Sequence, residues 1–503
     1  MIQYNKGIVA SGHQLVSEAA AEILRDGGNA FDAVVAAGFA STVVEQTLTS
    51  LGGGGLLMGH SSSIGENLFF DFFVDTPGLG ARKKINDPHF FPVTVQFAGA
   101  PQDFNVGLGS VAVPGIARGL LHIHKRLGTM PLNDIIAPAV KYARGHRVNS
   151  FQAHFLGLLY PIMTQSATGR ALYGTDSYIK QGDILKNDEL ADFIVQLASD
   201  GGEEFYRGEI ARSISNEMEE QGGLLTAEDM ASYRVFERAP LRVNYKGADF
   251  YTSPPPSMGG TLIALSLSLY SACNDQPTEW GEHDHLQQIL SIMQEVERLR
   301  LKGITQPQDL YAFLESGVPE SVKNIRTFSR GTTHISIADK KGNCASMTCS
   351  NGEGSGYYAP GTGVMLNNMM GEDDLHPEGF HASPAGQRVG SMMSPSLLLR
   401  DNKVELVIGS GGSKRIRTAI TQVLSQVVDY RKKLQDAVDA PRLYWDGDCL
   451  QVEPGFDRDA LEKLQIKMNI WNVKDVYFGG VHTVIPGSEG AGDPRRGGSV
   501  ITV

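Results

Sequence analysis

Thr332 follows a glycine and opens an alternating segment, Gly331-Thr332-Thr333-His334-Ile335-Ser336. A threonine hydroxyl is a poor nucleophile at its ordinary pKa and needs a base beside it. Making the threonine the first residue of a chain supplies that base. Its own α-amine, with a pKa near ~8, is partly neutral at physiological pH. The pattern predicts a precursor that cuts itself between Gly331 and Thr332. A Gly-Thr-Thr triplet alone more often opens an ordinary strand, so the reading rests on its surroundings.

Ile335 and Ile337 alternate with His334 and Ser336 as in a half-buried strand. Asp339-Lys340-Lys341-Gly342 reads as a hairpin turn, with Asn343 to Ser350 as the return strand. A turn with two central residues sets Thr332 opposite Cys349, next to Ser350. A slip of one residue puts Ser350 there instead, and the sequence leaves both registers open. Either way a second small hydroxyl comes close to Thr332.

Two glycine-rich segments suit acyl transfer. Gly409-Ser410-Gly411-Gly412-Ser413 follows the apolar Leu406-Val407-Ile408 and precedes a helical stretch, Arg415 to Val428. A strand, a glycine loop and a helix start leave backbone N–H groups where an oxyanion or a phosphate could sit. The phosphate-loop pattern G-x-x-x-x-G-K-[ST] is absent. Asn351 to Gly356, just past the hairpin, is either part of the site or a surface loop.

Together these pieces resemble the γ-glutamyltranspeptidase (glutathione hydrolase) family. The matching stretches include TTHISIADKKGN, APGTGVMLNN, SMMSPS, GSGGSKRI, DGGNAFDAVVAA, SLGGGGLLM, PPPSMGG, DAPRL and GDPRRGG, in family order over nearly the whole chain. The resemblance implies an α+β fold, the four-layer αββα sandwich of N-terminal-nucleophile hydrolases. It implies self-cleavage into a large subunit, 1–331, and a small one, 332–503, which together make one folded unit. By the same resemblance Thr332 is the nucleophile, Ser350 the hydroxyl that hydrogen-bonds it, and Gly411 and Gly412 the oxyanion hole. Asn351 and Glu372 match residues that hold a substrate amine, and Ser391 matches one that binds a carboxylate. The implied activity is hydrolysis or transfer of γ-glutamyl compounds such as glutathione. An acylase of the cephalosporin type and a processed non-catalytic binding protein are the alternatives.

Two positions depart from the pattern. Phe73, in Asp71-Phe72-Phe73-Val74, stands where glutathione-active members carry an Arg that clamps the α-carboxylate, and Met392 replaces a second carboxylate-binding serine. A guanidinium pairs a carboxylate through two charge-assisted bonds, which no phenyl ring replaces. Arg82 is the candidate substitute clamp.

The 503 residues, 41% hydrophobic and 20% charged, are those of an ordinary globular chain. A net charge of −12 with no large basic cluster argues against nucleic acid as a partner. Four Cys make no disulfide framework, and no Cys/His spacing suits a metal. No cofactor is implied, and the partner is a small-molecule amide. Neither an apolar leader nor a membrane-spanning run is evident, so the expected location is cytoplasmic, without membrane contact. Helices are expected over 13–25, 30–44, 132–144, 187–198, 261–270, 282–302 and 415–428, and a linker over 303–330. Gly52 to Gly55 is expected to bring backbones close together near the site.

Overall fold

The computed structural model describes residues 3–81, 85–96, 101–174, 178–273, 278–302, 331–376 and 379–503. The expected linker and Arg82 lie outside them. Two antiparallel sheets stack face to face. The first runs, edge to edge, Ser499–Thr502, Ile8–Ser11, Thr333–Ala338, Cys344–Ser350, Gly54–Ser61, Glu66–Phe72 and Phe236–Arg238. The second runs Glu489–Ala491, Gly480–Ile485, Lys403–Gly411, Ser396–Arg400, Ala248–Thr252 and Leu241–Tyr245.

Helices cover both outer faces. Ala30–Val44 packs on the first sheet, is buried along its whole length and starts from a capping box between Asn29 and Asp32. Met258–Cys273 and Arg415–Val428 cover the second sheet. This is the four-layer αββα sandwich, and the expected helices form within a few residues of their predicted ends. Among the described residues no helix is long and apolar enough to cross a membrane.

The strand Thr333–Ala338 lies inside the first sheet, between Ile8–Ser11 and Cys344–Ser350, and packs against Lys403–Gly411 and Gly480–Ile485 of the second. Ile335 and Ile337 point outward into the core beneath Ala30–Val44. The opposite face, read from sequence as solvated, is buried against the second sheet. His334 there bonds Thr348 Oγ1 at 2.8 Å and Ser336 Oγ at 2.9 Å, and Ser336 Oγ donates to the His482 carbonyl at 3.0 Å. Burial holds His334 neutral, well below the ordinary histidine pKa. Alternation therefore marks a polar layer between sheets, in which every hydroxyl finds a partner.

The hairpin register differs from the two-residue expectation. Asp339 N–H donates to the Asn343 carbonyl at 3.0 Å, leaving the three-residue loop Lys340-Lys341-Gly342. The Asp339 carboxylate dictates this: Oδ1 accepts from Lys341 N at 2.8 Å and Asn343 N at 2.9 Å, and Oδ2 from Asn343 Nδ2 at 2.7 Å. Gly342 supplies the left-handed position, φ 85°. The pairing becomes Thr333 with Cys349, which carries Thr332 opposite Ser350.

A Cβ on Gly409 would sit 2.2 Å from the His334 ring. Gly409→Ala should therefore cost about 1–3 kcal/mol through overpacking, read as a fall of several degrees in Tm. An unchanged Tm would mean that the two sheets can separate without penalty.

Candidate active site

Chain pairing delivers Thr332 and Ser350 to the same inner face at one end of the first sheet. The Gly331–Thr332 peptide is held on both sides. Thr332 Oγ1 donates to the Gly331 carbonyl at 2.7 Å and lies 3.5 Å from Ser350 Oγ. Ser350 Oγ donates to the same carbonyl oxygen. The Gly331 N–H donates to Glu353 Oε1 at 3.2 Å. A Cβ on Gly331 would fall 1.7 Å from the Gly352 carbonyl oxygen, so only glycine fits.

Other glycines allow the same closeness. A Cβ on Gly53 would meet the Ser350 carbonyl oxygen at 2.3 Å, as the Gly52–Gly55 stretch predicts. On Gly411, at the end of Lys403–Gly411, a Cβ would meet the Thr332 carbonyl oxygen at 2.3 Å. That carbonyl accepts from Arg496 Nη1 at 3.0 Å.

Arg496 is carried by a rigid buried turn. Arg442 Nη2 donates to Asp493 Oδ2 at 2.6 Å, and Arg495 binds Glu453 through Nε at 2.7 Å and Nη2 at 2.5 Å. Burial alone would raise the Asp493 pKa, but Arg442 and Arg495 pull it down to about 2. The stretches DAPRL and GDPRRGG thus converge here. Glu45, at the end of Ala30–Val44, approaches from the other side. Its two carboxylate oxygens accept from Thr333 Oγ1 at 3.1 and 3.0 Å. Burial raises its pKa to about 7, against the opposing effects of the Thr333 bond and Arg496.

A narrow pocket opens beside Thr332 and Ser350. Glu372, Ser391 and Ser413 are its other polar lining residues, and Phe73, Met369, Leu375, Met392, Met393 and Ile416 complete it. Of the expected site residues, Thr332, Ser350, Glu372 and Ser391 line this pocket together. Ser391 Oγ accepts from Met393 N at 3.0 Å. Gly411 abuts Thr332 from behind, whereas Gly412 turns toward Gly479 and Arg496 with φ 123°. The Asn351 side chain lies outside the lining, beside Gly354. Asn368 staples the loop, its Oδ1 accepting from Glu353 N at 2.9 Å and Gly354 N at 3.2 Å, and Gly352 fits against Asn368 and Glu372 only without a Cβ.

Phe73 does occupy the pocket wall. The guanidinium behind it is Arg388, whose Nη1 donates to the Phe73 carbonyl at 2.6 Å and to Asp71 Oδ1 at 3.0 Å, with Nε 2.7 Å from Asp75 Oδ1. Burial raises the Asp75 pKa to about 6 despite Arg388. Glu45, Glu353 and Arg496 were not singled out from the sequence. Arg496 lay within GDPRRGG and Glu353 within the glycine-rich loop, but Glu45 carries no local signal.

The four-layer αββα sandwich places the chain in the N-terminal-nucleophile hydrolase class of fold. Within it, the chain belongs to the γ-glutamyltranspeptidase family: the model described as "Gamma-glutamyltranspeptidase" matches residues 16–327 and 316–503. The chain is 31% identical to the glutathione hydrolase proenzyme of Escherichia coli (strain K12), over 98% of this chain and 91% of that protein. It is 28% identical to the acylase ACY 1 proenzyme of Pseudomonas sp. (strain V22), over 92% and 86% respectively. A cephalosporin acylase from Bacillus halodurans superposes with a TM-score of 0.83 at 24% identity, covering 100% of this chain and 96% of that one, and so shares the fold. At the level of the family the chemistry is amide hydrolysis or acyl transfer.

Glu45 gives a pH signature. Because folding raises its pKa, from 4.5 to about 7, the native state keeps a proton that the unfolded state has lost. Stability from this group therefore falls as pH rises through that window. Glu45→Gln, neutral throughout and still able to accept from Thr333, should match wild type below pH 4.5 and exceed it above pH 7, by on the order of 3 kcal/mol. Parallel Tm–pH curves for the two proteins would show that Glu45 is not protonated by folding.

Proposed function

We propose that the protein is a self-processing amide hydrolase or acyltransferase that works through an ester on Thr332. The observation that carries this reading is the Gly331–Thr332 peptide, with Thr332 Oγ1 2.7 Å from the Gly331 oxygen and Ser350 Oγ on that same oxygen. In self-cleavage Oγ1 attacks the Gly331 carbonyl carbon, and Ser350 stabilises the developing oxyanion. The Oγ1 proton passes to the Thr332 nitrogen as the C–N bond breaks, leaving an ester. Water hydrolyses it to a Gly331 carboxylate and a free Thr332 α-amine.

That amine is the base for turnover. It takes the Oγ1 proton as Oγ1 attacks an acyl donor and returns it to the leaving amine, and water or a second amine then resolves the ester. The backbone around Gly411, Gly412 and Ser413, at the start of the helix Arg415–Val428, is the candidate oxyanion hole. Glu372, Ser391 and Asn351 are candidates for orienting the donor. The subunits would be 1–331 and 332–503. Their strands alternate within the first sheet, since Ile8–Ser11 pairs with both Thr333–Ala338 and Ser499–Thr502. The cleaved pieces should stay together.

γ-Glutamyl compounds are the donors suggested by the names of several relatives. Phe73 and Met392 on the pocket wall favour the second reading, an acylase of other amides.

Thr332→Ala should remain one full-length chain and be inactive, whereas wild type should yield two chains, the second starting at Thr332 by intact mass. A two-chain pattern from Thr332→Ala would assign the cutting to an outside protease. Gly331→Ala should slow cleavage at least tenfold, because its methyl group forces the peptide off Ser350 and Glu353. Processing at the wild-type rate would show that this close fit is unimportant.

A further inference from the structure

We infer that Thr333 is a positioning residue for the proposed reaction: its hydroxyl, anchored on Glu45, fixes the Thr332–Thr333 peptide so that the freed Thr332 amine and Oγ1 keep their reacting geometry. The inference rests on the Thr332 reading above and assigns a residue that serves it. Side chains of successive strand residues point to opposite faces. Thr332 faces the layer between the sheets, so Thr333, the first residue of its strand, faces the side covered by the helix Ala30–Val44. Thr333 and Glu45, each 3% exposed, meet there, with Oγ1 3.1 and 3.0 Å from the two carboxylate oxygens. Gly12 backs the contact: a Cβ on it would lie 2.8 Å from Glu45 Oε1 and 3.3 Å from Thr333 Oγ1.

Cleavage makes this anchor necessary. In the uncut chain Thr332 is held through Gly331, whose carbonyl accepts from Thr332 Oγ1 at 2.7 Å and from Ser350 Oγ, and whose N–H donates to Glu353 Oε1 at 3.2 Å. Those contacts leave with Gly331, and a chain terminus loses order unless it is tied down. The holds on the next peptide stay. Arg496 Nη1 donates to the Thr332 carbonyl at 3.0 Å, and Glu45 takes the Thr333 hydroxyl on the opposite face. The strand ladder itself begins only at Thr333, paired with Cys349. With that peptide gripped on both faces, the amine moves only by rotation about the Cα–C bond of Thr332. Without the Glu45 hold the peptide tilts, and the amine and Oγ1 shift together away from the acyl carbon.

The test uses the processed two-chain enzyme and 4-nitrophenyl acetate, whose small acetyl group makes little demand on the narrow pocket. Oγ1 bonds the acetyl carbon, the ester C–O bond breaks to release 4-nitrophenolate, and the Oγ1 proton passes to the Thr332 amine. Thr333→Val keeps the shape and loses the hydroxyl. It should lower the acylation burst constant about tenfold or more with half-saturation unchanged, because small misplacements of reacting groups cost rate steeply. Glu45→Met should do the same, and the double variant should be no slower than either, as for two ends of one contact. Thr333→Ser should restore the burst. Self-cleavage of the Thr333→Val precursor should run at the wild-type rate, since the Gly331 contacts are intact there, whereas a purely structural role would slow both steps. If Thr333→Val does not fold, Glu45→Met and Thr333→Ser carry the comparison. A full burst in either folded variant, no rescue by Thr333→Ser, or an equal slowing of self-cleavage overturns the inference and leaves the Thr332 chemistry standing. Wild type that stays one chain, or gains no acetyl group on Thr332 by peptide mass, overturns the Thr332 reading and this inference with it.

Discussion

Three backbone approaches around Thr332 leave no room for a Cβ, and the rest of the site depends on them. Gly331 meets the Gly352 carbonyl, Gly411 meets the Thr332 carbonyl, and Gly53 meets the Ser350 carbonyl. Main chain from four loops and strands is thereby packed at distances that side chains would forbid. Such closeness puts the Thr332 and Ser350 hydroxyls within hydrogen-bonding range of the Gly331 carbonyl. Short side chains have few rotamers, so little conformational freedom is lost in holding that geometry.

Charge holds these backbones in place from behind. Arg442, Asp493, Arg495 and Glu453 form a buried set whose members are each almost fully excluded from water. A buried ion pair adds little net stability compared with a well-packed apolar pair, yet removing one partner leaves an unpaired charge. The consequence is a turn with one acceptable geometry, which delivers Arg496 to the Thr332 carbonyl. Arg388 works in the same way on the strand end at Asp71–Asp75, and so fixes where Phe73 faces the pocket. Glu45 completes the frame by holding Thr333 on the opposite face.

On the function proposed above, chemistry and selectivity fall on different parts of this frame. Thr332, Ser350 and the glycine-lined backbone belong to the central strands, where a change disturbs both sheets. Phe73, Met369, Met392 and Glu372 lie on strand ends and loops and line the pocket. This arrangement suits a family whose relatives are named both glutathione hydrolase and acylase.

Much of this was legible in the chain. Ala30–Val44 and Arg415–Val428 lie where they were expected, because an unbroken run of helix-forming residues of that length, largely apolar in the first, is a local signal. Gly331-Thr332 and the glycine loops marked the site, because they are needed wherever two backbones come close. The hairpin register was not legible: it turns on whether the Asp339 carboxylate caps two amides of its own loop, a choice between turns of similar local cost. Nor could alternation reveal that the His334 face is buried, since that requires a second sheet from residues more than 60 positions away to cover it. Glu45 and Arg496 meet the Thr332–Thr333 segment from opposite directions, 288 and 164 positions distant. The sequence by itself determined the family, and through that resemblance the fold, because motifs matching in order over nearly the whole chain fix both. Only the tertiary structure decided which residue faces Thr332 and which distant side chains, Glu45 and Arg496, reach its segment, because pairing register and burial are properties of distant segments packed together.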